Sequence, residues 1–250
     1  MKKVSKENKG AKRPLCIIGT ATSSGKAPYD YEIDGEPIYE IWAINTALVK
    51  DDVKRVDRVF EMHPKRYWGQ VPVLERLNNF DGPVYMQDHY DEITNSVAYP
   101  HDEVKEKFHL GVMGDNLYVT NTITWMILCA LYEGYTDISL YGVHMAHETE
   151  YAYQRSSCSW VLGIIHGWIM EGKPYKLTIA EESSLLKAEY EYGFDEPTKA
   201  MQYLDSRIKG FDAGIKEANE KITDLNRRKL MTEGAKLEAK HLYEKLAGWK

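Results

Sequence analysis

The chain has 250 residues, 43% hydrophobic and 28% charged, enough apolar material for one large domain or for one domain plus an appendage, which excludes disorder of the whole chain. With 32 Lys and Arg against 38 Asp and Glu the net charge is −6, which argues against a protein whose main task is to grip nucleic acid, although a local basic groove is compatible with it. The three cysteines, Cys16, Cys129 and Cys158, form no CxxC pair, so neither a disulfide scaffold nor a thiolate zinc site is expected, and a reducing, cytoplasmic setting fits.

Residues 1–13 are polar and basic. They read as a flexible arm, either solubilising or able to touch nucleic acid or membrane, and they lack the apolar stretch of a signal peptide. No apolar run in the chain reaches the ~18 residues of a membrane span, so no span is expected. The first ordered element is the run at residues 14–20, apolar throughout as in a strand buried on both faces, and it ends in the glycine-, serine- and threonine-rich stretch GTATSSGKAP. Further strands of the same kind are predicted at residues 40–45, 57–64, 82–87, 138–145 and 173–179. Between the fourth and fifth, Ile123, Met126, Ile127, Ala130 and Leu131 follow the spacing of an amphipathic helix, with Gly134 where a C-terminal cap would stand. A second helix is expected over residues 160–172. Strands separated by helices specify an α/β fold: a Rossmann-like, mostly parallel sheet with helices on both faces, over residues 14–195.

The remainder, residues 196–250, changes character. Met201, Leu204, Ile208, Phe211, Ile215, Ala218, Ile222 and Leu225 are spaced alternately by three and four, a heptad seam. A second stripe runs through Ala235, Ala239, Leu242, Leu246 and Trp249, out of phase with the first. This reads as two helices with a turn near residues 232–234, a hairpin or a coiled-coil appendage. The seam's partner is the second tail helix, the body of the chain or another subunit; the last is favoured, making the protein a homo-oligomer through its C-terminal helices.

Ligands of parallel sheets bind at the carboxyl ends of the strands, so the residues that follow each strand are the candidates for a site. The loop after the first strand, with Gly19, Thr20, Ser23, Ser24 and Lys26, offers backbone N–H groups and hydroxyls to a phosphate, or is an ordinary strand-to-helix turn. Asn45 and His63 end the second and third strands. Thr120, Asn121 and Thr122 open the long helix, where Thr120 or Asn121 would cap it and where an anion would also be attracted. The stretch from Gly142 to Arg155 holds two His, two Glu, two Tyr and one Arg. His144 and His147 have HxxH spacing, but with no further ligand pair the stretch reads better as a pocket with a histidine base and Tyr and Arg contacts to phosphate than as a metal site. His166 reads as a core histidine.

These elements, CIIGTATSS, EIWAIN, DRVFEMHP and TNTITWMILCALYEGYTDISLYGVHM, resemble in order and pattern the bacterial sialyltransferases of the Campylobacter type, which use a CMP-sialic acid donor, and the wider Rossmann-like group that includes archaeal pterin pyrophosphokinases. The resemblance covers roughly residues 14–190. It implies that residues 20–24 face a nucleotide, that Asn45 and residues 120–122 contact the donor, and that Tyr151 and Tyr153 meet the leaving-group phosphate, with His147 as base. The chain departs from the family where GNGPSL is expected after the first strand, and His144 stands where the family has Asp. The implied function is a metal-independent glycosyltransferase-like protein that needs no cofactor beyond a nucleotide-sugar co-substrate. The alternatives are a Rossmann-like nucleotide-binding or assembly protein without catalysis and a transferase acting on phage DNA. The Tyr-rich, acidic composition is similar to that of bacteriophage accessory proteins.

Overall fold

The computed structural model describes residues 12–70, 73–109, 114–145, 149–188, 191, 193, 194 and 198–248, and within these all side chains except those of residues 69, 70, 73, 149–152 and 198–200. Most of the basic arm lies outside the described residues. The chain divides into two units, residues 1–187 and 188–250.

The first unit is built on a seven-stranded sheet. Its strands are β1 (Leu15–Ile18), β4 (Glu40–Ile44), β5 (Arg58–Glu61), β6 (Val84–Met86), β7 (Ser96–Ala98), β8 (Asp137–Tyr141) and β9 (Lys176–Ile179), while β2 (Glu32–Ile33) and β3 (Glu36–Pro37) form a separate small hairpin. The order is β7-β6-β5-β4-β1-β8-β9, and every pairing is parallel. The chain therefore builds outward from β1 to β7, then returns to place β8 and β9 on β1's other side. The direction of growth reverses between β1 and β8.

The apolar runs form strands because both faces of the sheet are covered. Leu15, Ile17, Trp42, Phe60, Ile138 and Leu140 face a core completed by α2 (His101–Phe108), α3 (Thr122–Tyr132) and α4 (Thr149–Met170). Alternate residues, Cys16, Ile18, Ile41 and Ala43, face the other side, against Ala27, Tyr29 and Ala47. Further out on that side Val59, Val84 and Met86 meet Trp68 and Leu77, the latter on α1 (Val73–Asn78). Helices thus lie on both faces, with the second face covered mainly by short 3₁₀ segments. Burial raises the Cys16 and Cys158 thiols to about 12, so neither carries thiolate reactivity near neutrality.

α3 is buried almost all round, from Ile123 through Leu131. It ends at Gly134, whose φ of +87° is the left-handed turn that glycine favours past a helix. α4 begins at Thr149, eleven residues before the start expected from the sequence. Its first turns are polar, and its buried stripe of Cys158, Val161, Leu162 and Ile165 shows only further on.

In the second unit, α5 (Thr198–Ala247) is one continuous helix of 50 residues. The turn expected near residues 232–234, and with it the hairpin, is not formed. An isolated glycine such as Gly234 costs only about 1 kcal/mol in a helix, and it is flanked by the strong helix formers Met231, Glu233, Ala235 and Lys236 with no proline nearby.

Candidate functional site

Gly19 and Gly142 follow β1 and β8, the two neighbours between which the sheet reverses its growth. This is where open α/β sheets take their ligands. The two backbones are in contact: a Cβ on Gly142 would lie 2.6 Å from the Gly19 carbonyl oxygen, and Gly142 holds a φ of +67°. The Gly19 N–H donates to the Tyr141 carbonyl (2.9 Å) and the Ala21 N–H to the Gly142 carbonyl (2.9 Å). Ser23 and Ser24 are buried beneath this junction. Ser23 Oγ accepts from the Gly142 N–H (2.8 Å) and lies 2.9 Å from His144 Nε2, while the Ser24 hydroxyl donates to Asp52 (3.0 Å). The two serines hold the loop and do not line the cleft.

Above the junction opens a cleft of about 880 Å³, within the range of small-ligand sites. Gly19, Thr20 and Ala21 form its floor with Gly142 and Val143. Ile44, Thr46, Met62 and His63 form one wall, and residues 119–123 with Trp125, Met145 and Gln154 form the other. Met145 adopts a φ of +49°, a left-handed conformation uncommon for a side chain of its size, immediately beside the cleft. His144 also lines the cleft. Burial, and then the charge of Lys187, lower its pKa, so the ring is neutral near pH 7.

The N-terminus of α3 points its first turn at this space. Asn121 is the cap: its Oδ1 accepts from the Thr124 N–H at 2.8 Å. Its Nδ2 donates to the Gln154 carbonyl (3.0 Å) and to Ser157 Oγ (3.1 Å). The Thr120 hydroxyl lies 2.8 Å from the same Ser157 oxygen. α3 and α4 are thereby braced against each other, and the positive end of the α3 dipole is fixed at the cleft wall. The capping and anion-attracting readings of residues 120–122 coexist in this geometry.

At the opposite wall, Glu61 and His63 form a pair that sequence reasoning missed. Glu61 is the last residue of β5 and is fully buried. Its Oε1 accepts from the His63 backbone N–H (2.8 Å) and lies 2.6 Å from His63 Nδ1. A carboxylate only accepts, so the ring proton resides on Nδ1 and Nε2 is the basic nitrogen. The signal in the sequence was the i, i+2 spacing, which puts two side chains on one side of an extended segment.

The remaining sequence candidates fall elsewhere. Asn45 is buried in a 3₁₀ turn, where its Oδ1 accepts from Arg76 (2.8 Å), and its neighbour Thr46 lines the cleft instead. Arg155 donates to the hydroxyl and carbonyl oxygens of Ser184 (3.1 and 2.7 Å), tying α4 to the segment after β9. Tyr153 is 67% exposed on α4 and is not part of the cleft lining, whereas Gln154 is. Tyr151 lies on α4 with its side chain outside the described residues, and His147 lies outside them altogether.

Among the described residues, no group of three or more His, Cys, Asp or Glu side chains is placed to hold a metal ion, and no helix is long and apolar enough to cross a membrane. No protein-family model matches the chain, and no curated protein is similar to it in sequence. Among solved structures the chain is similar to the Campylobacter jejuni sialyltransferase CstII in complex with CMP-3FNeuAc (15% identity over 67% of this chain and 80% of that one, TM-score 0.44). It is also similar to the same enzyme with cytidine-5′-monophosphate (16%, 70% and 82%, TM-score 0.45). A third similarity is to an α-2,3-sialyltransferase of C. jejuni in its apo form (12%, 82% and 96%, TM-score 0.44). The likeness is one of fold.

Proposed function

We propose that the cleft binds a nucleotide-activated sugar and that the protein transfers the sugar to an acceptor hydroxyl. The observation that carries this reading is the convergence on one cleft of the β1 glycine-hydroxyl loop, the α3 N-terminus and the Glu61–His63 pair. The Thr20 hydroxyl and a helix N-terminus suit a phosphate. The apolar side chains of Ile44, Met62, Val143 and Trp125 suit the flat and hydrocarbon parts of a nucleotide sugar. In the transfer, the acceptor oxygen forms a bond to the anomeric carbon as the bond from that carbon to the phosphate oxygen breaks. The nucleotide leaves with the electron pair, and the acceptor proton passes to His63 Nε2, with Glu61 holding the imidazolium that forms. The charge of the departing phosphate is met by the α3 N-terminus and the β1 loop, and the donor is a co-substrate rather than a resident cofactor.

The test is a thermal-shift screen with nucleotides and nucleotide sugars, followed by nucleotide-release assays with hydroxyl acceptors. Binding should raise Tm by mass action. His63→Ala should lower kcat by about 10²–10⁴-fold while donor binding persists, and Glu61→Gln should act in the same direction. If no nucleotide shifts the melting of the chain, the reading fails. If nucleotides bind and turnover is absent with every donor, the alternative of a nucleotide-binding protein without catalysis replaces it.

A further inference from the structure

The second unit carries an apolar seam that α5, being one unbroken helix, cannot fold back to cover. Its isoleucines Ile208, Ile215 and Ile222 are 57%, 59% and 55% exposed. With Met201 placed at heptad position a, the next three a positions are these isoleucines, and the d positions are Leu204, Phe211, Ala218 and Leu225. A β-branched residue at a with leucine at d selects two strands in parallel. The flanking positions carry independent information. The e positions are Asp205, Asp212, Asn219 and Asn226, with no base, while the g positions are Arg207, Gly214, Lys221 and Arg228, with no acid.

In a parallel pair each g residue faces the e residue of the next heptad on the other strand. Arg207 then meets Asp212 twice, once on each side of the dimer, and Lys221 meets Asn226, with no like charges opposed. In an antiparallel pair g faces g and e faces e, which sets cation against cation and aspartate against aspartate. We propose that residues 201–225 form a parallel, in-register, two-stranded coiled coil with the same residues of a second copy, so that the protein is a homodimer. The seam ends after Leu225 because Lys229 and Thr232 occupy the next a and d positions. The second stripe, Ala235, Ala239, Leu242 and Leu246, falls on g and d positions of the same register, so its face is rotated away from the a–d seam.

The test uses the full chain. Light scattering at micromolar concentration should give twice the 28.8 kDa chain mass. Ile215→Asp should weaken dimerisation by roughly a hundredfold or more, with circular dichroism confirming that the first unit stays folded. Arg207→Glu and Asp212→Lys, each weakly dimeric alone, should form a heterodimer when mixed. Ile222→Cys should cross-link to itself under oxidising conditions, because in-register a positions face each other across the axis at disulfide range; Cys16, Cys129 and Cys158 are all buried and do not compete. A monomer, a trimer, a mass unmoved by Ile215→Asp or a failure of Ile222→Cys to cross-link would each overturn the proposal.

Discussion

The two ends of the sheet treat polar groups in opposite ways. At the end where the strands begin, Arg58 at the head of β5 donates to Glu40 (2.7 Å), to Glu133 (2.8 Å) and to the Tyr85 and Tyr135 hydroxyls (3.0 and 3.3 Å), while lying over the Trp42 ring. The Tyr135 hydroxyl donates in turn to Glu40 (2.5 Å), and Lys12 closes on Glu133 (2.9 Å). Burial alone would raise the Glu40 carboxyl, but hydrogen bonds from Trp42, Tyr135 and Arg58 outweigh it and hold it below its ordinary range. Each of these charges is answered from within the fold. At the end where the strands finish, polar groups positioned by the fold line an open cleft: His63 beside Glu61, His144 beside Ser23, and Asn121, which caps α3 and bonds to α4. A closed network specifies structure, whereas polar groups that line a cleft are placed to meet a ligand.

The largest effect expected from breaking this contrast is at the end with the closed network. Arg58→Ala removes the guanidinium shared by two largely buried carboxylates, leaving Glu133 with Lys12 and Glu40 with only neutral donors, and should cost about 3 kcal/mol of stability in urea unfolding. Replacing Glu40 and Glu133 by glutamine in the same chain should recover part of it. No recovery would show that Arg58 acts through packing on Trp42 rather than through charge.

A smaller loss, about 1–3 kcal/mol, is expected for Gly142→Ala, which combines a left-handed backbone with a Cβ 2.6 Å from the Gly19 carbonyl. Unlike Arg58→Ala, it should also weaken nucleotide binding, because the floor of the cleft must shift. Unchanged affinity in a destabilised variant would separate the floor from the site.

The smallest effect concerns pH. His144 has a folded-state pKa below its unfolded value, so the unfolded chain binds the proton more readily. Its contribution is fully present above about pH 6.5 and is lost as the pH falls through the lowered value. His144→Asn should therefore flatten the decline of Tm between neutral and mildly acidic pH. A variant whose decline matches the parent protein's would assign that decline to other groups.

How much of this was legible beforehand follows from burial. The runs at β1, β4, β5, β6 and β8 declared themselves because interior strands covered on both faces are largely apolar, while β9, an edge strand, showed through its alternation of polar and apolar residues. β7 did not: Ser96–Ala98 is an edge strand of three residues, two of them exposed. The β2–β3 hairpin was signalled by Asp34–Gly35, both with positive φ, a turn pair easily passed over between strands of two residues each. In the site, residues that follow strands directly, Gly19, Thr20 and His63, were readable, as was the helix start at residues 120–122. Ser23, Ser24, Asn45 and Arg155 were equally polar and equally near strand ends or helices. Only tertiary contacts show that their side chains turn inward to Gly142, Asp52, Arg76 and Ser184.

The contact between Gly19 and Gly142 also bears on how the proposed ligand site would diversify. Backbone hydrogen bonds from Gly19 to Tyr141 and from Ala21 to Gly142 extend the β1–β8 ladder past the strands themselves, and the Gly142 N–H donates to the Ser23 hydroxyl. The floor therefore has no room for an added methyl and no freedom to tilt. Variation that preserves folding is confined to the walls, at Thr46, Met62, Trp125 and Gln154, so a change of ligand would come from reshaping the sides of a fixed basin.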